Sequence, residues 1–334
     1  MPVVLMVFTH KTILTLVTNL TSFRELNMKP RYISLHPFID WTKAKRPIPW
    51  SEEFARSAGL EVEIGFGTGD FLVQRALENK DRDFVGMELG WVLVRRALRK
   101  IGLAGVENVR VMRVDARVAF QRVFVEGCLD RVWALFPCPW PKEKHASHRL
   151  FSHAFFKLIN SRLKPEGKIN IVTDYAPYFD WIISQLPGTG FEIQTEKIPP
   201  QFFTKYEKKW RELGQYKFYH LVLRKQEHQQ IQVKKDINMI THQVGGFDPD
   251  RFNPRNEGGK IVVQFKDFLY DSTHLRGMIR SIVGEENLIQ DIWIEIAKRD
   301  EHWHIRPAKG CSIIPTAGVQ RALDLVRDGV EEKI

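Results

Sequence analysis

The chain has 334 residues, a length typical of about two domains, and 43% of them are hydrophobic, as in a protein that buries a core. No stretch approaches the roughly 20 uncharged apolar residues that a membrane-spanning helix needs, which argues against an integral membrane protein. The net charge of +10 favours anionic partners.

The three cysteines are Cys128, Cys138 and Cys311, and no two lie close together in the sequence. An odd, scattered set argues against a disulfide framework and against a zinc site built from cysteines alone. We therefore expect free thiols in a reducing compartment, the cytoplasm.

Residues 1–27 differ from the rest, being rich in β-branched residues without a clear period. His10 and Lys11 interrupt the apolar run, whereas a signal peptide carries its basic residues before it. Two interpretations stay open: translated upstream sequence ahead of a true start at Met28, or a short disordered extension.

Short apolar runs alternate with helical patterns from residue 60 onward, which predicts a mostly parallel sheet with helices on both faces. Ligands of such sheets bind outside the carboxyl ends of the strands. In chain order the predicted elements are strand 60–66, helix 70–79, strand 83–89, helix 91–102, strand 108–114, helix 116–126, strand 130–136, helix 151–163, strand 168–173, helix 178–186 and a last strand over 217–223.

A glycine-rich turn joins the first predicted strand to the first predicted helix. Gly65, Gly67 and Gly69 alternate there after Glu63, and glycine lets a backbone adopt positive φ and approach a ligand closely. The spacing is not G-x-G-x-x-G, which disfavours a dinucleotide.

Acidic side chains stand at the ends of the first three predicted strands. Glu88 can accept hydrogen bonds from two ribose hydroxyls, and Asp115 with Ala116 can meet an adenine ring. Glu63 can bond the glycine loop or a ligand ammonium group. Each alone is consistent with a solvated carboxylate, but three at successive strand ends predict S-adenosylmethionine in a class I methyltransferase fold.

Three further motifs follow in order. Together with the glycine loop they resemble the bacterial tRNA (guanine-N7)-methyltransferase family over about residues 30–225. That family usually reads F-P-D-P-W-x-K-x-R-H, then T-D-x, then T-x-[FY]-E with a later glycine. The corresponding stretches here are Phe136-Pro137-Cys138-Pro139-Trp140-Pro141-Lys142-Glu143-Lys144-His145, Thr173-Asp174-Tyr175, and Thr204-Lys205-Tyr206-Glu207 with Gly214.

The resemblance implies methyl transfer from S-adenosylmethionine to N7 of a guanosine in the tRNA variable loop, without a metal. It implies a Rossmann-like, mostly parallel seven-stranded sheet and tRNA as the partner, with no protein partner required. The implied cofactor contacts are Glu63, Gly65, Gly67, Gly69, Glu88, Asp115, Ala116 and Cys138. The implied substrate contacts are Lys142, Lys144, His145, Asp174, Thr204, Lys205, Tyr206 and Glu207, and the catalytic set is Cys138, Asp174 and Glu207.

One departure concerns the residue between the two prolines, which is Cys138 where the family has a catalytic aspartate. Lys144 also replaces an arginine, and His148 stands where the family often has arginine. Guanine N7 carries a lone pair and no proton, so alignment of the reacting atoms can supply most of the catalysis. We hypothesise that Cys138 lines the site without acting as a base, with Asp174 or Glu207 as the acceptor.

Two alternatives remain open. A chain that lost its carboxylate could bind tRNA without catalysis, although the intact Glu63, Glu88 and Asp115 favour an enzyme. A Pro-Cys pair after a fourth strand also resembles the nucleophile of carbon-5 cytosine methyltransferases, in which a thiolate attacks the base. The Thr-Asp and Thr-x-x-Glu motifs argue against that second reading.

Basic and aromatic residues around the core are candidates for phosphate contacts, and Trp140, Tyr175 or Tyr206 for stacking on an unstacked base. The basic and aromatic candidates are Lys29, Arg31, Lys43, Lys45, Arg46, Trp50, Lys142, Lys144, Arg149, Lys205, Lys208, Lys209 and Arg211.

The last third is predicted to be a small α+β accessory domain over residues 226–334, after a catalytic domain over 28–225. Residues 226–232 form a polar linker in this interpretation, with strand patterns in 258–270 and 288–305 and a helix over 316–328. The histidines at 302 and 304 are more typical of a strand surface than of a metal site.

The positive charge belongs to the predicted catalytic domain. Residues 1–226 contain 35 Lys plus Arg against 23 Asp plus Glu, whereas residues 227–334 contain 15 against 17.

Overall fold

The computed structural model describes residues 33–202, 204–214 and 217–331. Both interpretations of residues 1–27 concern a segment outside these ranges. The first part of the described chain consists of α1 (Trp50–Glu53), β1 (Gly59–Ile64), α2 (Asp70–Glu78), β2 (Arg82–Glu88), α3 (Trp91–Ala104), β3 (Val109–Arg113), α4 (Ala116–Arg122), β4 (Leu129–Leu135), a 3₁₀ turn (Glu143–His148), α5 (His153–Arg162), β5 (Leu163–Thr173), α6 (Ala176–Ser184), β6 (Phe191–Ile198), α7 (Lys205–Glu212) and β7 (Phe218–Lys225). The second part consists of β8 (His242–Val244), β9 (Ile261–Asp271), β10 (Arg276–Glu285), β11 (Leu288–Arg299), β12 (His302–Pro307) and α8 (Ala317–Glu331).

Seven strands form the first sheet, in the order β3-β2-β1-β4-β5-β7-β6. The first five are mutually parallel, and β7 runs antiparallel to both β5 and β6. This architecture confirms the predicted mostly parallel class I methyltransferase fold. Because β1 has β2 on one side and β4 on the other, the crevice at the carboxyl ends of β1 and β4 is the topological switch point, where such sheets bind ligands.

Helices cover both faces of this sheet. Helices α2 and α3 pack on one face, and α4, α5 and α6 pack on the other. Each large side chain buried in these layers contributes about 1.5–3 kcal/mol. The glycine loop and the ends of β2, β3 and β4 are therefore held from both sides by packed helices.

Helix α4 ends at Arg122, four residues earlier than its sequence pattern predicts. Val123 and Phe124 leave the helix and are fully buried, with the ring of Phe124 stacked on Trp50 at 5.4 Å between centroids. Burial of these two side chains outweighs the helical pattern, since β-branched valine has only a modest helix propensity.

The second sheet is antiparallel, with strand order β8-β12-β11-β10-β9, and α8 covers one face. The sequence patterns missed β10, whose Gly277 and Gly284 weaken the strand signal. A Cβ at Gly277 would lie 3.1 Å from the Phe268 ring on the neighbouring strand, so close packing explains the glycine.

The segment between the two sheets is bound to the helices of the first sheet. The fully buried Arg162 donates from Nη1 to the carbonyl oxygen of Ile231 at 2.6 Å and from Nε to that of Phe120 at 2.8 Å. The N–H of Lys234 donates to the carbonyl oxygen of Gln121 at 2.8 Å. Residues 226–236, which include the predicted linker 226–232, thus form a hydrogen-bonded strap over α4 and α5.

Within the described ranges, every helix is too short or too polar to cross a lipid bilayer.

Candidate active site at the carboxyl ends of the first sheet

A cavity of about 450 Å³ opens at the switch point. It is bounded by the ends of β1 to β4, the start of α4 and the loop that follows β4. Its lining residues include Ile64, Gly65, Gly67, Glu88, Leu89, Leu93, Asp115, Ala116, Arg117, Leu135, Phe136, Cys138, Trp140, His148 and Leu150. The cavity is therefore lined by six of the eight residues expected to contact a cofactor: Gly65, Gly67, Glu88, Asp115, Ala116 and Cys138.

The glycine loop exposes its backbone to this cavity. Gly65 and Gly67 have φ of 70° and 57°, and nothing lies within 4 Å of a Cβ built on either residue. Positive φ favours glycine, and the open space lets a ligand approach the main chain. Gly69 serves a different purpose, because a Cβ there would come 2.8 Å from the Cβ of Ala97, so it permits close packing of α2 on α3.

The carboxylate of Glu88 is oriented by main-chain donors at the tip of β2. Its Oε2 accepts from the N–H of Gly67 at 3.1 Å, and its Oε1 accepts from the N–H groups of Leu89 at 2.8 Å and Gly90 at 3.1 Å. These bonds fix the carboxylate at the cavity wall beside the glycine loop.

Glu63, next to Ile64 of the cavity wall, has a buried carboxyl group whose Oε2 lacks a hydrogen-bond partner among the described residues. Burial raises the pKa of Glu63 to about 8, with smaller contributions from the negative charges of Asp70 and Glu88. Such a group binds a cation favourably, because a positive charge compensates the buried carboxylate.

Asp115 caps α4, with its Oδ1 accepting from the N–H of Arg117 at 2.7 Å. The side chain of Arg117 continues across the cavity wall, donating from Nη2 to the carbonyl oxygen of His148 at 3.0 Å. Sequence reasoning missed Arg117. Its position two residues after Asp115 was the available signal, but its partner lies 31 residues away.

The loop after β4 is held in an unusual conformation. Phe136 and Trp140 have positive φ of 55° and 44°, and Cys138 between them is exposed at the cavity. Trp140 is 37% exposed, and its ring lies 5.0 Å from the His148 ring. Positive φ in bulky residues is rare, and such conformations are more frequent at functional sites than elsewhere.

The buried side chain of Arg149 holds the loop after β4 by hydrogen bonds to its main chain. Its Nε donates to the carbonyl oxygen of Pro139 at 3.2 Å, its Nη2 donates to that of Trp140 at 3.3 Å, and its guanidinium lies over the Trp181 ring. Only 7% of Arg149 is exposed. The expectation that Arg149 contacts phosphates is therefore wrong, because its donors are used inside the protein.

The expectation that Arg46 and Trp50 contact the RNA is wrong for the same reason. The Arg46 side chain donates to the carbonyl oxygen of Trp41 at 2.6 Å and pairs with Asp236 of the strap, while Trp50 is buried against Phe124. Lys29 and Arg31 lie outside the described residues. Lys142 and Lys144 are exposed, and His145 is half-buried beside Trp140.

Asp174, half-buried after β5, has its pKa raised by burial, with the positive charge of Lys209 on α7 opposing the shift.

Thr204 and Glu207 form a capping box at the start of α7. The buried Glu207 carboxylate accepts hydrogen bonds from three main-chain N–H groups, those of Gln201 at 2.9 Å, of Phe202 at 3.1 and 3.0 Å, and of Thr204 at 3.0 Å. The side chains of Lys205, Tyr206 and Lys208 lie outside the described part.

A family model described as "Putative methyltransferase" matches residues 57–220. A tRNA (guanine-N(7)-)-methyltransferase of Chlorobium phaeobacteroides is 40% identical over 180 residues, covering 54% of this chain and 88% of that protein. Proteins of the same name from Thermotoga maritima and Aquifex aeolicus are 28% and 26% identical, covering 83% and 86% of this chain and 91% and 97% of theirs.

The alignments with the Thermotoga and Aquifex proteins cover 83% and 86% of this chain. Residues 1–225 make up a smaller share of the 334 residues than that, so both alignments extend past the end of β7. Sequence similarity to these two relatives therefore continues into the part of this chain that carries the second sheet, whereas the Chlorobium alignment covers 54% of the chain. With 40% identity across most of one curated relative, this chain belongs to the tRNA (guanine-N(7)-)-methyltransferase family.

Proposed function

We propose that this enzyme transfers a methyl group from S-adenosylmethionine to N7 of a guanosine in the tRNA variable loop, forming 7-methylguanosine. The observation that carries the proposal is the cavity at the switch point. There two strand-end carboxylates and an open glycine loop line the wall, and the buried Glu63, whose Oε2 has no hydrogen-bond partner among the described residues, lies next to Ile64 of that wall.

These residues fit S-adenosylmethionine. Glu63 would face the ligand's positive charge, Glu88 would accept from the ribose hydroxyls, and Asp115 with Ala116 would meet the adenine. Bound there, S-adenosylmethionine supplies an electrophilic methyl group on a sulfonium. Gly65 and Gly67 would let the ligand lie against the main chain, and Gly69 would hold α2 in place.

The loop after β4 would receive the guanine. Trp140 offers an exposed ring for stacking, and Lys142, Lys144 and His145 stand beside it for the adjoining phosphates. Arg149 would keep this loop in its conformation from inside. Guanine N7 has no proton to remove, so the protein's task is to align the base rather than to act as a base.

Asp174 would accept from the guanine N–H edge, and the positive charge of Lys209 would favour its ionised form against the effect of burial, which raises its pKa. Glu207 would act as a positioning residue, because its carboxylate is occupied by main-chain donors and holds Thr204 and the preceding loop next to the site. Cys138 would line the site without taking a proton, while Lys205 and Tyr206 would contact the substrate from α7.

We assign catalysis to residues 28–225 and a bracing role to 226–334, which the strap joins to α4 and α5. A cytoplasmic setting agrees with three free cysteines among the described residues.

The test is mass-spectrometric nucleoside analysis of unmodified tRNA incubated with the full chain and S-adenosylmethionine. We expect 7-methylguanosine, absent when either component is omitted. Binding of tRNA without 7-methylguanosine would favour an RNA-binding protein without catalysis, and methylated cytosine would overturn the assignment of the base.

A further inference from the structure

Helix α3 begins beside the cofactor cavity and turns an unusual surface to solvent. Leu89 and Leu93 line the cavity, and the helix runs away from it for 14 residues. The exposed surface, here called the α3 face, consists of Trp91, Val92, Arg95, Arg96 and Arg99. Trp91 is 40% exposed and Val92 is 62% exposed.

The three arginines of the α3 face have no ion-pair or hydrogen-bond partner anywhere in the described ranges. By contrast, Lys100 on the same helix pairs with Asp70 at 2.5 Å. Arg95 and Arg99 are four residues apart, and Arg96 and Arg99 are three apart, so like charges neighbour each other along the helix. Such pairs weaken a helix in the absence of an anionic partner.

The helix dipole does not account for these charges. Cations gain from the dipole in the last turn of a helix, and the last turn of α3 contains no basic residue. Three exposed guanidinium groups without partners in the described chain, beside the exposed Trp91, would suit a ligand that is anionic and carries rings that can stack.

We propose that the α3 face binds the sugar-phosphate backbone of the RNA substrate, on the side of the cavity opposite the loop of Lys142 and Lys144. This inference rests on the proposed function, and it names a contact surface that the motifs do not contain. Arginine guanidinium groups pair with phosphate oxygens, and a tryptophan ring stacks on any unpaired base. An RNA held on both sides would lie across the cavity mouth, above the glycine loop.

The test compares the full chain with R95Q/R96Q/R99Q and with a matched control, K298Q/R299Q/K309Q, which removes three exposed cations from the second sheet region. Dissociation constants for an unmodified tRNA transcript are measured by fluorescence anisotropy between 50 and 200 mM KCl. S-adenosylmethionine affinity and thermal unfolding are measured on the same samples.

We expect the α3 variant to bind tRNA at least about tenfold more weakly at 100 mM KCl. Its slope of log K against log salt should fall by about 2–3, since each phosphate contact contributes about 0.9 to that slope. S-adenosylmethionine affinity and thermal unfolding should match wild type, and the control should bind tRNA as wild type does. Trp91→Ala should weaken binding with little change in slope.

A salt slope equal to that of wild type in the α3 variant would overturn the proposal. So would loss of binding to phosphatidylserine vesicles with tRNA binding intact, which would assign the face to an anionic membrane surface. Failure of the proposed function is distinguishable, because wild type itself would then form no 7-methylguanosine, whatever the binding data.

Discussion

Arg117 and His148 are joined by a hydrogen bond of 3.0 Å, from Nη2 to the carbonyl oxygen of His148. The main-chain N–H of Arg117 is bonded to Asp115 in turn. One residue thus connects the wall that would hold the adenine to the loop that would hold the guanine. The geometry of one half of the site depends on the other half through this contact.

Replacing Arg117 with Met should lower kcat/KM for tRNA by about 10- to 100-fold, because a hydrogen bond from a charged donor contributes about 1.5–3 kcal/mol. A positioning role predicts that kcat falls more than tRNA affinity does. Arg117→Lys should recover part of the loss, and Arg251→Met, at an exposed position, serves as the control. A change confined to KM would instead indicate a direct phosphate contact.

The pKa of Glu63 near 8 predicts a pH dependence of cofactor binding. Below pH 8 the carboxyl group is mostly protonated in the free protein, and a cationic ligand favours its ionised form. The association constant for S-adenosylmethionine should therefore rise by up to about tenfold per pH unit from pH 6 and level off near pH 8. Isothermal titration calorimetry across this range checks it, and a flat profile would contradict the assignment.

The same group predicts how stability varies with pH. Because folding raises the pKa of Glu63 above its ordinary value of 4.5, its stabilising contribution is complete below that value and is lost as pH rises through about 8. In Glu63→Gln the corresponding fall in melting temperature between pH 6 and pH 8 should disappear, while S-adenosylmethionine binding weakens. Differential scanning fluorimetry of both proteins makes the comparison.

Cys138→Ala should retain activity within about tenfold of wild type, because the reaction at guanine N7 removes no proton before attack. Single-turnover methylation of tRNA measures this. A loss of about 10³-fold, equivalent to roughly 4 kcal/mol, would mean that the thiol takes part in the chemistry. A covalent adduct between wild type and 5-fluorocytosine RNA would point the same way. Cys128→Ala serves as the control for loss of a thiol outside the cavity, because burial raises the pKa of Cys128 to about 12 and keeps that thiol protonated.

Arg162→Met should lower the free energy of unfolding by about 3–5 kcal/mol, because buried carbonyl oxygens on both α4 and the strap lose a charged donor. Chemical denaturation of the full chain measures the change, with Arg251→Met as an exposed control. Limited proteolysis should then cut within the strap between the two sheets. A stability equal to that of the control would show that the strap contributes little.

The local sequence pattern was sufficient to predict the strands and turns that form the cavity. Alternating apolar runs and helical periods placed β1 to β4 within one or two residues, and the carboxylates of Glu88 and Asp115 lie where strand ends in a parallel sheet must converge. Such features depend on near neighbours in the chain. The second sheet was less predictable, because β10 carries glycines whose packing partners lie on another strand.

Residue type alone determined that this protein is basic in its first 226 residues, that its strands form a mostly parallel sheet, and that a methyltransferase cavity lies at the strand ends. Tertiary structure decided which charges meet solvent. Arg149 and Arg46 resemble phosphate ligands in sequence, yet their side chains are buried: Arg149 packs on the Trp181 ring, and Arg46 pairs with Asp236 of the strap. Arg95 and Arg99, which no motif marks, remain exposed and unpaired within the described chain. Burial depends on contacts between segments far apart in sequence, and a local pattern does not contain them.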